Sequence, residues 1–136
     1  MHAQLGDHAQ AITACQQSLD LHQELGDHYG VAIAWDSLGY AHHHLGHHTR
    51  AIDCYHRALG LYRGVGDRYF EADTLSHLGD AYHAAGQPDA ARDAWCHALA
   101  IFDELNHPDA EQVRVKVRHL AAGPSTERGT CRSRPN

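Results

Sequence analysis

The sequence predicts an all-α solenoid of antiparallel helix pairs, about six helices in all, closed by a C-terminal capping helix. Two observations predict it. First, the 136 residues align with themselves, without gaps, at an offset of 40. Gly6, Gly46 and Gly86 share one column, Ala11, Ala51 and Ala91 another, and Leu19, Leu59 and Leu99 a third. Tyr29 pairs with Tyr69, Leu38 with Leu78, Gly39 with Gly79, and Gly26 and Gly66 stand over Asn106. A repeat held over so many columns marks stacked supersecondary units. Second, each unit carries two apolar stripes at i, i+3, i+4, i+7, the helical period, separated by glycines.

Taken in order, residues 1–27 read as a partial unit. Residues 1–4 align with 41–44, so the chain enters at the end of a first helix and continues in a second helix over about 7–25. That helix is expected to leave Ala11, Ile12, Cys15, Leu19 and Leu21 on an uncovered apolar face, and solenoids normally close such faces with polar caps. The expectation is therefore a C-terminal piece of a longer protein, a wrong start site, or an oligomer that covers the face. Residues 28–67 form a full unit. Val31, Ala34, Trp35, Leu38, Ala41 and Leu45 stripe the first helix and Gly46 stops it; Ala51, Ile52, Tyr55, Ala58, Leu59 and Tyr62 stripe the second, ended by Gly66. Residues 68–107 repeat the unit over 68–85 and 88–105, with Pro88 in a first turn, where its missing N–H is no loss. Residues 108–121 form the capping helix, with Val113, Val117 and Leu120 on one face. The alternation Val113, Val115, Val117 also suits a strand, but a lone strand on a helical solenoid has no ladder partner. Residues 122–136 read as a disordered tail.

These residues resemble the tetratricopeptide repeat (TPR) family over 5–107. Trp35, Leu38, Gly39, Ala51, Tyr55 and Ala58 match the pattern in one unit, and Leu75, Leu78, Gly79, Tyr82, Ala91, Trp95 and Ala98 in the next. The glycines and alanines let paired helices approach closely while Tyr55 and Trp95 fill the space between repeats. The unit departs from the family in being 40 rather than 34 residues long and in lacking the proline that ends its second helix, where Arg63 stands nearby. The 40-residue unit, the junctions Leu25-Gly26-Asp27-His28-Tyr29 and Val65-Gly66-Asp67-Arg68-Tyr69, and the Arg-over-Lys bias are similar to C-terminal arrays of SARP-type bacterial transcriptional regulators with an NB-ARC ATPase module. That likeness implies a sensor or regulatory segment as the alternative to a free-standing module.

The resemblance implies a protein–protein interaction module that holds a partner peptide or domain in a concave groove lined by the first helix of each pair. The family's groove positions fall on Ile33, Asp36, Tyr40, His43 and His44, then on Asp73, Ser76, Asp80 and His83, with Ala84 beside them. Spacing agrees. Asp36, Tyr40 and His43 stand at i, i+4, i+7 opposite Leu38 and Leu45, and Ser76, Asp80 and His83 repeat the pattern. The family's Lys and Asn clamp for a peptide carboxylate is missing; acidic residues here would repel such a terminus and favour a basic or neutral partner.

Charge narrows the remaining classes. The net charge is −6, and residues 1–120 hold eight Lys or Arg against sixteen Asp or Glu, too acidic for direct nucleic-acid binding. No apolar run reaches the ~20 residues of a membrane span. No signal peptide is visible, so a cytoplasmic setting is expected, with Cys15, Cys54, Cys96 and Cys131 as reduced thiols. The chain has 15 histidines. In the cluster His42, His43, His44, His47 and His48, the His43–His47 pair has i, i+4 ligand spacing, and Asp80 or His83 could add donors. Gly46 breaks the helix between them, so no metal or other cofactor is expected; His43, His47 and His83 come nearest to qualifying. A drop towards pH 6 would charge many histidines and weaken a basic partner's hold. There is no phosphate loop, nucleophile elbow or kinase signature, so no enzyme is expected.

Overall fold

Glycine-stopped apolar stripes become six helices: α1 (His2–Leu25), α2 (His28–His44), α3 (His48–Val65), α4 (Arg68–Ala84), α5 (Pro88–Glu104) and α6 (Asp109–Ala121). The computed structural model describes residues 2–121 and 131. No strand occurs among the described residues. The valine alternation near the end is helical: Val113 and Val117 are buried together while Val115, on the other side, is exposed. The tail expected over 122–136 lies outside the described residues, Cys131 apart.

The five junctions share one construction. Gly26, Gly46, Gly66 and Gly86 take positive φ, and Asn106 does the same at φ 50°, the one non-glycine among the described residues to do so. Asparagine tolerates this region better than most residues. At each junction the next residue's N–H reaches back over the turn, as in Asp67 N to Tyr62 O at 3.0 Å and His107 N to Phe102 O at 2.9 Å. These bonds satisfy carbonyls that the helix end would leave unpaired. Asp27 and Asp67 then start α2 and α4 by accepting from Gly30 N and Phe70 N. Each connection is so short that successive helices fold back on one another.

Close approach within a pair depends on glycine. A Cβ on Gly39 would meet the Tyr55 ring at 2.8 Å, and one on Gly79 would overlap the Trp95 indole. Ala51, Ala58, Ala91 and Ala98 are fully buried on the facing helices. The main core runs through Tyr55, Leu59, Leu75, Leu78, Trp95, Ile101, Phe102 and Val113, so α3 to α6 share one apolar interior. A second cluster ties α1 to α2 through Leu19, Val31, Ala34 and Leu38.

Three expectations need correction. Gly6 stops no helix: α1 runs unbroken through it. A glycine inside a helix costs ~1 kcal/mol, which a continuous helix packed on α2 easily absorbs. The apolar face of α1 is not left open either. Leu19 is buried, and Ile12 and Cys15 pack half-buried against the α2 cluster. The exposed side of α1 carries Gln10, Thr13, Gln16, Gln17, Asp20, Gln23 and Glu24, a mostly polar surface, with Leu21 and Leu25 the exposed large apolar residues. Nor are all four cysteines thiols. Cys96 on α5 and Cys131 form a disulfide across a Cα–Cα distance of 5.4 Å, leaving Cys15 and Cys54 free.

Candidate functional site on the α2, α4 and α6 face

The residues expected to line the groove fall on α2 and α4 in three separate groups. At the α2–α4 boundary, Asp36 faces Asp73 and His77. His77 Nδ1 stands 3.6 Å from Asp36 Oδ1, and its Nε2 stands 3.9 Å from Asp73 Oδ1. Thr74 Oγ1 donates to Asp36 at 3.4 Å. Burial raises the Asp73 carboxyl above its ordinary value, and the neighbouring Asp36 charge adds to that. Burial alone would lower the His77 imidazole; the carboxylates of Asp36 and Asp73 outweigh it, so its pKa is raised.

The second group sits at the α4–α6 boundary. Ser76, predicted as a groove residue, is buried. Its hydroxyl accepts from Lys116 Nζ of α6 at 3.1 Å, and Asp80 Oδ1 lies 2.9 Å from the same ammonium. Behind them Trp95 Nε1 donates to Asp80 Oδ1 at 3.2 Å and to Ser76 O at 3.1 Å. His83 is exposed on this side, its ring 5.7 Å from Trp95. Ala84 is exposed beside it.

The third group is aromatic. Tyr40 is 49% exposed, and its ring lies 4.2 Å from that of His44, which in turn stacks on His8 of α1 at 5.1 Å. Ile33, 43% exposed, adds apolar surface on the same helix. His43 is half-buried, and burial, followed by the nearby His44, lowers its pKa.

Two basic residues, His77 and Lys116, carry much of this arrangement and were not among the predicted site residues. His77 was detectable as the i, i+4 neighbour of Asp73. Lys116 falls 40 residues beyond Ser76 and 80 beyond Asp36, so carrying the repeat one unit further reaches it.

The histidines singled out as the nearest metal candidates are not brought together. His47 precedes α3 and lies with His42, Nδ1 to Nδ1 at 3.1 Å, rather than with His43. His43 neighbours His44 and His48, and His83 lies against Trp95. Among the described residues, one group has three ligating side chains whose donor atoms lie within 4.8 Å of one another: Asp36, Asp73 and His77. Three donors fall one short of a closed structural zinc site, and His77 already faces both carboxylates. No helix of the described residues is long and apolar enough to cross a membrane.

A family model for the tetratricopeptide repeat matches residues 1–64 and 30–104. No curated protein matches the chain.

Proposed function

Because the chain belongs to the tetratricopeptide repeat family, whose members are typically non-enzymatic scaffolds, we propose that it is a protein–protein interaction module whose α2, α4 and α6 face holds a basic or neutral partner segment. The observation that carries the reading is the pair of carboxylates Asp36 and Asp73 beside exposed Ile33 and Tyr40. The apolar side chains supply contact area. The carboxylates set the charge that the partner must match, and they disfavour acidic segments and free carboxyl termini. His77 offsets part of this charge when protonated, so a basic segment binds more weakly as pH falls. No part of the face supplies the cations that nucleic-acid backbones require, since Lys116 is engaged by Asp80 and Ser76. Nothing in the arrangement calls for a cofactor.

The test is selection of displayed twelve-residue peptides on the folded chain. Enriched sequences should carry net positive charge. Their affinity should fall about ten-fold in the double variant Asp36→Asn, Asp73→Asn, and stay unchanged in Arg57→Gln on α3, away from this face. Enrichment of acidic peptides, or affinity indifferent to the double variant, would overturn the reading.

A further inference from the structure

Lys116 is the only lysine in the chain, and α6 delivers it to a prepared receptor. Its ammonium meets the Asp80 carboxylate at 2.9 Å and the Ser76 hydroxyl at 3.1 Å, with the Trp95 ring centre 6.0 Å away. A carboxylate, a hydroxyl and an aromatic ring together suit a primary ammonium group. The receptor does not depend on Lys116 for its shape. Ser76 and Trp95 are buried in the α4–α5 packing, and the indole N–H fixes Asp80 from behind. The occupant is less confined: the side chains of Lys116 and Asp80 are 34% and 35% exposed, so a competing ammonium can reach the carboxylate from solvent. Asp80 Oδ1, Asp80 Oδ2 and Ser76 Oγ converge on one nitrogen at 2.9, 3.1 and 3.1 Å, a geometry that suits a compact ammonium better than a planar guanidinium.

We infer that Ser76, Asp80 and Trp95 form a lysine-binding subsite, filled in the resting chain by Lys116 and taken over by a lysine side chain of the bound partner. The inference rests on reading the α2, α4 and α6 face as the partner surface. Lys116, tethered nearby, competes at high effective concentration, so a partner must offer further contacts, as Tyr40 and Asp36 provide, to displace it.

The two tryptophans supply a probe and a control. Trp95 bonds directly to the subsite, whereas Trp35 lies under Arg57 on the other side of α2. In a 1H–15N spectrum of Lys116→Ala, added Nα-acetyl-lysine amide should shift the Trp95 indole resonance saturably and leave Trp35 unmoved. The same addition should shift wild-type Trp95 much less, and Nα-acetyl-arginine amide should act more weakly in the variant. Adding Asp80→Asn should abolish the effect. Should Lys116→Ala lose α6, Lys116→Met keeps an apolar stem over Trp95 and serves in its place. A Trp95 resonance that does not respond in the emptied subsite, or that responds equally after Asp80→Asn, would overturn the inference. Peptide selection governed by Asp36 and Asp73 would survive that result, so the subsite and the wider binding reading fail separately.

Discussion

His77 shows how little a side chain's identity says before its neighbours are known. As one of 15 histidines it is unremarked in the sequence, yet it joins α4 to α2 through Asp36 while also facing Asp73 of its own helix. Its folded pKa is raised above the ordinary imidazole value of ~6.5. The stabilisation it provides is therefore fully present below that value and disappears as pH rises through the folded pKa. The difference in melting temperature between wild type and His77→Gln should be larger at pH 5.5 than at pH 8.5. Equal differences would mean that the imidazole is not paired as described. His42 and His43, whose pKa values burial lowers, act in the opposite sense but cancel in this comparison. Glycine is similarly contextual. Gly79→Ala gains helix propensity but drives a methyl into an indole anchored by two hydrogen bonds, so unfolding measurements should show a loss of about 1–3 kcal/mol. Gly60→Ala, with open space at its Cβ, should instead gain up to ~1 kcal/mol. The close approach of Gly79 was legible from its column. The Asp73 partner of His77 is legible as its i, i+4 neighbour, but Asp36 on α2, and the α4 residues that hold Lys116 of α6, are not, because each of those contacts crosses between helices.

Helices α2 to α6 were legible almost to the residue, because Gly26-Asp27, Gly46, Gly66-Asp67 and Gly86 punctuate the chain and Asn106 stands in the next glycine position. Asp67 illustrates what a single junction residue does. It accepts from Phe70 N to start α4 and from the Tyr29 hydroxyl at 3.0 Å, which ties the preceding helix pair to the same point. Tyr69 makes the corresponding bond to Asp109 one unit later. Replacing Asp67 by alanine should cost about 1 kcal/mol or slightly more, read as a shifted urea midpoint with an unchanged slope. No change in midpoint would show that the cap is dispensable. Gly6 was misleading for the converse reason. A glycine ends a helix only where the chain turns back at it, and α1 runs straight through Gly6 from His2.

At the scale of the molecule, packing determines what repetition could not. Leu19 is buried against α2 and Ile12 and Cys15 pack half-buried beside it, while glutamines occupy the opposite side of α1 and Leu21 and Leu25 stay exposed. The Cys96–Cys131 disulfide joins residues 35 apart with no motif between them, and only the path of the chain brings them together. Alkylation of the denatured protein should modify two cysteines before reduction and four after it; four before reduction would contradict the disulfide. The charge of the α2, α4 and α6 face arises in the same way. Asp36, Asp73 and Asp80 are spread over 45 residues of chain, and stacking of repeats collects them on one surface, with His77 and Lys116 set against them. The most direct test of that surface as the binding face is to map where a selected basic peptide lands, by amide chemical-shift changes on the labelled chain. The shifts should concentrate at Ile33, Asp36, Tyr40 and Asp73. Shifts centred on His56, Arg57 and Leu61, along α3 on the opposite side, would contradict that placement.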